Sequence, residues 1–587
     1  MRTLPNPIRP VGGGFDTPAG TRDPWLWLAF LLSMAAAAII LGYFHDRFWW
    51  PPDDGAYAYV AERILAGDVL NRDIQDIHAG YINFTNAAAL ALFGMDLVSL
   101  RYPLAILTLV QTGLLFWLFA RFGALRAAVG AVSMASLSFV QFLNPTAHWY
   151  CLFLFVAIIA VLVWRPPGSV LRLELVGFLV MLVLLFRQLS GLVAAIGVLA
   201  WLIAEAKGSR SGGRRTVARL LLGVMIFGLA AYLASKADLL AVLLFGIWPL
   251  GLLVWSWRAT ALEDRAALIM LARLAVGGVL ALLPLLGYHL AQGSLASWFE
   301  DTVLAATSLT ELDFFRQASY GFFLLGGLRE LLAFDGVAPV LNGAFWILLP
   351  LLAAMQGVAL WFVLWRRGGR HGALHPLPFL AVFYPLVSVH FQIAIYLFYS
   401  ATISLAGLLW LAGASRPVAR TVSLLLALLL SGIGLYWQAG QPLTRGADGI
   451  LRGDRVALVR STLERASLRI TPADEAFYAH AGELVAANVP PGSTLLAIPV
   501  DPELNFLFAR PSPARFFNVT MGVKDATALE DLLARLAADP PALVFYRPDD
   551  KYNTEASRKI ADQVRSRYEL LEARDGFEIY RLRPGGT

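Results

Sequence analysis

The sequence predicts a polytopic α-helical membrane protein of about thirteen spans, with a small α/β domain following the last one. Three observations support this. Of 587 residues, 58% are hydrophobic and only 15% are charged, with a mean hydropathy of +0.63. A soluble domain carries roughly a quarter charged residues. Apolar runs long enough to cross a bilayer recur down to about residue 437, and charge density rises again from about Arg445. The formal charge of +6 sits mostly in short loops between the apolar runs, so nucleic acid is not an expected partner and the lipid bilayer is. Cys151 is the only cysteine, which excludes an intrachain disulfide and a thiolate metal cluster.

In chain order, residues 1–23 form a polar segment expected on the cytoplasmic side. The first span, 24–44, is too long for a cleaved signal peptide and reads as an anchor. It ends in Phe48-Trp49-Trp50-Pro51-Pro52, an interfacial aromatic belt and a helix stop. A first outer loop, 45–98, contains the apolar segment 79–95, which is too short to cross and reads as a juxtamembrane helix. Spans are then expected at 99–120, 124–143, 147–164, 173–187, 188–205, 219–235, 239–257 and 272–291. A second outer loop, 292–340, precedes spans at 341–365, 376–391, 396–413 and 420–437. A linker, 438–473, leads to the α/β domain, 474–587. Strands are expected there near 494–498, 515–519, 542–546 and 577–582, and amphipathic helices at 474–487, 527–538 and 554–566.

Loop charge fixes the orientation. Arg121 and Arg126, Arg165 and Arg172, Lys207 to Arg219, Arg258 to Arg273, Arg366 to Arg370, and Arg416 with Arg420 fall in alternate loops. The opposite loops carry Asp46, Asp53, Asp54, Glu62, Asp68, Asp73 and Asp76, and then Glu300, Asp301, Glu311 and Asp313. By the positive-inside rule the N-terminus is cytoplasmic, and an odd number of spans puts the tail domain outside an inner (plasma) membrane.

The polar residues expected on the outer face suggest chemistry at a membrane surface. Asp53-Asp54 appears where the chain re-enters water, with Asp76 and His78 in the same loop. Arg187-Gln188 sits between two apolar runs, where an unpartnered charge is costly. His148 lies at an outer turn, and His390 and Gln392 close the eleventh span. A lipid-borne phosphate needs cations around it, and an attacking hydroxyl needs a carboxylate to take its proton. Each residue also has a plainer reading. Asp is favoured at helix N-termini, so Asp53-Asp54 could cap the following helix, with Asp54 as the cap and Asp53 as the base. Asp76 could be a solvated loop residue, Arg187 could snorkel to headgroups, and His148 reads as a boundary histidine.

The order Asp53-Asp54-Gly55-Ala56-Tyr57, Ile64-Leu65-Ala66-Gly67, Arg72-Asp73 and His78-Ala79-Gly80 resembles the bacterial GT-C glycosyltransferases. The branch it looks closest to is that of the protein-mannosyltransferases and aminoarabinose transferases. Phe186-Arg187-Gln188-Leu189-Ser190-Gly191 is similar to a basic-Gln-x-x-Gly turn in that family, and His390-Phe391-Gln392 to its late His-aromatic motif. Val489-Pro490-Pro491-Gly492-Ser493-Thr494 and Pro502-Glu503-Leu504 are similar to its extracytoplasmic domain. The chain departs from the family where Asp54 replaces a frequent Glu and where His78-Ala79-Gly80 stands in place of Lys-Pro-Pro.

The resemblance implies a polyprenyl-phosphate sugar donor, inverting displacement at the anomeric carbon, and an envelope lipid, glycan or protein as acceptor. It implies Asp53 as general base, and Asp54 and Asp76 on the acceptor or on a divalent cation that some members bind. Arg187, His390 and His78 are implied on the donor phosphate. Two other readings are a transporter or lipid-carrier flippase, and an inactive scaffold of the same fold. Few charges lie deep within the spans, which favours surface chemistry over passage.

Overall fold

The structure, a computed structural model, describes residues 23–165, 169–206, 213–305, 319–366, 374–442 and 445–584. The expected Glu311 and Asp313 of the second outer loop, and Lys207 and Arg210 of a basic loop, lie outside these residues. Helix α1 (Pro24–Phe44) is the first long apolar helix, and α2 (Pro51–Leu65) and α3 (Tyr81–Phe93) fill the loop that follows it. Helices α4 (Tyr102–Phe119), α5 (Ala124–Leu137), α6 (Ala147–Trp164), α7 (Val170–Phe186), α8 (Gln188–Glu205) and α9 (Thr216–Lys236) continue the bundle. Further long helices run over Asp264–Ala291, Val337–Arg366, Ala394–Gly413 and Pro417–Ile433. Leu31, Leu32, Ile39, Phe227, Leu280 and Leu425 are exposed along these helices, as lipid-facing positions should be.

Among the described residues, eleven helical stretches of 18 or more residues are apolar enough to cross a membrane. Two of the thirteen expected spans are shorter, for distinct causes. In 376–391, prolines 376, 378 and 385 remove backbone donors, so the chain forms a short helix at Pro376–Leu380 and a 3-10 turn at Tyr384–Ser388. This broken segment is almost wholly buried in protein, where irregular backbone at membrane depth is tolerated. The other, α7, is apolar but only 17 residues long. It lies against the helix Asp264–Ala291 at an unusually short separation. A Cβ at Gly277 would overlap the Glu174 carbonyl, and one at Gly177 would overlap the Leu274 carbonyl. Small residues let membrane helices approach backbone to backbone. Gly277→Val is therefore expected to destabilise the bundle by about 1–3 kcal/mol or more through overpacking. Thermal unfolding in detergent checks this; an unchanged melting temperature would show that the two helices do not touch as described.

Beyond the bundle, the described residues of the 438–473 linker include two short strands. Strands β1 (Val459–Arg460) and β2 (Arg469–Ile470) pair antiparallel. The segment after α1 joins them: Phe48 N–H donates to the Arg469 carbonyl at 2.8 Å, and Arg469 N–H to the Asp46 carbonyl at 2.6 Å. The tail holds a four-stranded sheet of order β3-β4-β6-β5, formed by β3 (Leu495–Ile498), β4 (Leu543–Tyr546), β5 (Tyr568–Arg574) and β6 (Phe577–Leu582). The β3–β4 pair is parallel and both strands are buried throughout, as their uninterrupted apolar sequences require. Residues 515–519 are not a strand. Asn518 accepts from the Thr520 N–H at 2.9 Å and caps a short turn of helix, Val519–Gly522. Strand β5, which the sequence reading missed, is a half-exposed edge with weak alternation.

The tail domain is docked on the first loop. Gly55 of α2 meets the backbone of Glu503 at a distance no Cβ would allow. Tyr59 Oη accepts the Ser512 N–H at 2.7 Å, and Arg465 reaches Glu62 at 2.8 Å. The tail and the α2–α3 loop thus share one end of the bundle.

Candidate functional site

The site is built on the first turn of α2. Pro51 and Pro52 occupy its first two positions, where their missing N–H groups cost nothing, and Asp53 and Asp54 follow at the positive end of the helix dipole. The two carboxylates then diverge. Asp54 is fully buried; its Oδ2 accepts the Trp50 N–H at 2.8 Å and its Oδ1 faces Arg101 at 3.2 Å. The same guanidinium donates to the carbonyls of His45, Arg47 and Phe48, at 3.0, 3.2 and 2.8 Å. Asp54 therefore anchors the turn between α1 and α2. Asp53 points the other way, open to solvent, with its Oδ2 accepting from Asn144 Nδ2 at 2.8 Å. Surrounding protein raises its carboxyl to about 6. Desolvation is the largest cause and the Asp54 charge the second, opposed by Lys551, the Asn144 hydrogen bond and His78.

Around Asp53 the fold gathers residues distant in sequence. Tyr57, one turn along α2, is hydrogen-bonded to Thr146 at 3.3 Å and lies within electrostatic reach of Asp53, Asp76 and Arg187. His148 stacks on Tyr399 with ring centroids 3.8 Å apart, and Tyr396 is within electrostatic reach of both Asp53 and Arg187. Arg187 ends α7 in an extended conformation (φ −155°, ψ 116°), and its guanidinium donates to Tyr396 Oη at 3.2 Å and lies 3.5 Å from His390 Nε2. Among the described residues it has no carboxylate in ion-pair contact. Gly191 makes this turn tight, because any Cβ there would overlap the Leu184 backbone. His390 lies in the non-helical link 389–393, at the end of the broken segment, beside the Arg187 guanidinium. His78 is tied to Asp76, whose Oδ1 accepts its backbone N–H at 2.7 Å and sits 2.6 Å from its Nδ1.

The predicted residues thus separate. Asp53, Arg187, His390 and the Asp76–His78 pair belong to one electrostatically connected cluster, whereas Asp54 faces Arg101. Asn144, Thr146, Tyr57, Tyr396 and Tyr399 were not anticipated. Nor were Lys551 and Tyr552, which the tail domain places within electrostatic reach of Asp53. Three buried polar atoms of this region have no partner: Asn144 Oδ1, His148 Nδ1 and His390 Nδ1. Unsatisfied buried atoms in a groove suit a polar ligand.

Two hubs hold the groove together. Gln188 Nε2 donates to the carbonyls of Ile77 and Thr302 at 2.8 and 3.0 Å, joining α8 to both loops. Asp301, fully buried, accepts from Arg515 through both oxygens at 2.9 Å, from Gln75 at 3.0 Å and from Asn71 at 3.2 Å. Lys524 adds a contact at 3.4 Å.

A divalent cation does not fit this donor set. Among the described residues no group of three or more His, Cys, Asp or Glu could hold a metal ion. Asp54 and Asp76, the carboxylates offered by the sequence, are engaged by different partners, Arg101 with the Trp50 N–H and His78 respectively.

No family model matches the chain, and no curated protein matches it. Among solved structures it is similar to ArnT from Cupriavidus metallidurans bound to undecaprenyl phosphate, at 15% identity and a TM-score of 0.39. It is similar to the same protein in the apo state at 14% identity and a TM-score of 0.41. Both alignments cover 95% of this chain and 98% of the other. Likenesses of this size carry no weight for function, and the reading that follows stands on the residues of the groove.

Proposed function

We propose that the chain is a membrane glycosyltransferase that moves a sugar from a polyprenyl-phosphate donor to an acceptor hydroxyl on the outer side of an inner (plasma) membrane. One observation supports this above the others. A carboxylate on the first turn of α2, Asp53, shares an electrostatic cluster with a guanidinium, Arg187, that has no carboxylate partner among the described residues. That is the pairing needed to deprotonate a nucleophile and to stabilise a departing phosphate. The resemblance of the motifs around both residues to the GT-C glycosyltransferases supports the same assignment.

In the reaction Asp53 accepts the proton of the acceptor hydroxyl as its oxygen bonds to the anomeric carbon. The bond from that carbon to the phosphate oxygen breaks, and the phosphate leaves with the electron pair. Arg187 neutralises it, while His390 and His78 supply hydrogen bonds. Inversion follows from a single displacement. Asp54 keeps α2 in place, and Asp76 orients His78. The N-terminus is cytoplasmic and the tail domain is outside, where the acceptor arrives. The test is sugar transfer in proteoliposomes with a panel of polyprenyl-phosphate sugars and an envelope extract. Label passing to an acceptor supports the reading and names the sugar. Movement of the carrier across the bilayer without transfer with any donor would replace it by the flippase reading.

A further inference from the structure

A second feature lies at the other end of α9. The C-terminal part of this helix, Tyr232 and Lys236, is within electrostatic reach of Arg187 and His390. At about 1.5 Å per residue, Arg219 is roughly 20 Å away along the same helix, near the opposite membrane boundary. There an open cavity of about 680 Å³ is lined by Arg214, Arg215, Arg219 and Trp257 at its head. Leu220, Val224 and Phe227 continue it along one face of α9. These three are strongly exposed, at 66%, 62% and 76%. A Cβ at Gly223 would meet nothing within 4 Å, so the lane is open at its middle.

The charges at the head are not spent internally. Arg214, Arg215 and Arg219 enter no ion pair among the described residues; Arg219 lies 5.9 Å above the Trp257 ring, and Arg215 donates to the Thr260 carbonyl at 3.4 Å. Asp264 is used by the Val217 N–H at 2.7 Å, and the Glu263 carboxylate lies beside residue 213. The result is a cationic head above an apolar lane, on a helix read as spanning the bilayer, with an interfacial tryptophan at their junction. Basic pockets between transmembrane helices bind lipid headgroups, and an acyl chain suits the lane below.

We propose that this cavity is a binding site for an anionic glycerophospholipid, its phosphodiester on Arg214, Arg215 and Arg219 and one acyl chain along Leu220, Val224 and Phe227. The site is independent of the Asp53 groove. The test is native mass spectrometry of the full-length protein in mild detergent, titrated separately with phosphatidylglycerol, cardiolipin, phosphatidylcholine and undecaprenyl phosphate. Wild type should retain the two anionic phospholipids with about tenfold or greater preference over phosphatidylcholine, and R214Q/R215Q/R219Q should lose that preference. G223L narrows the lane from a position where a Cβ meets nothing within 4 Å, and should weaken retention of both phospholipids while the protein melts as wild type does. Equal retention of phosphatidylglycerol and phosphatidylcholine by wild type would overturn the proposal. So would an undiminished preference in the triple variant, or a loss in that variant of undecaprenyl phosphate retention while retention of the anionic phospholipids stays unchanged.

Discussion

Asp53→Asn is expected to lower sugar transfer by about 10²–10⁴-fold, the usual contribution of a general base, while leaving the protein folded. Asparagine keeps the shape and the hydrogen bond to Asn144 but cannot take a proton. The pH dependence sharpens the test. Because the Asp53 carboxyl is raised to about 6, wild-type transfer should fall as pH drops through that value, as the base becomes protonated. The stability effect has the opposite sense. An unfolded Asp loses its proton near 3.9, whereas the folded one keeps it to about 6, so stability declines as pH rises across that interval. Above pH 6, Asp53→Asn should therefore melt no lower than wild type. Lys551 opposes the upward shift from across the groove, so Lys551→Gln should move the acid limb of the rate profile upward and Lys551→Arg should restore it. A transfer rate unchanged in Asp53→Asn would remove Asp53 as the base.

Arg101→Met should cost about 3–5 kcal/mol, the usual loss when one partner of a buried ion pair is removed. Both Arg101 and Asp54 are completely buried, so the substitution strands a carboxylate without solvent or cation. It also leaves the carbonyls of His45, Arg47 and Phe48 without their common donor. Combining Arg101→Met with Asp54→Asn should recover part of the loss, since the stranded charge disappears while the three carbonyls stay unpaired. Thermal unfolding of the three variants in nanodiscs gives the answer. If the double variant were as unstable as the single one, Asp54 would not be the charge that Arg101 holds. This pair also explains why two adjacent acids take different tasks: consecutive positions on a helix are rotated by about 100°, so one faces inward and the other the groove.

The membrane class, most spans and the strands β3, β4 and β6 were legible because they depend on local composition and period. Twenty apolar residues must span or bury themselves, and an uninterrupted apolar run ending in a turn suits a buried strand. The span expected at 376–391 failed although its composition qualified, because three prolines decide backbone hydrogen bonding where mean hydropathy is blind. Strand β5 was missed because a register shift between Leu570 and Glu572 interrupts its alternation.

For the site, the sequence by itself determined which residues are chemically able to act: Asp53, Asp76, His78, Arg187 and His390 are polar groups at the ends of apolar runs. Only the tertiary structure decided which of them meet. It turned Asp54 onto Arg101, brought Tyr396 within electrostatic reach of both Arg187 and Asp53, and brought Lys551 from the tail to within electrostatic reach of α2. The physical reason is range. Hydropathy and helix period act over a few residues, whereas burial, ion pairing and the close contact of Gly55 with Glu503 depend on segments hundreds of positions apart.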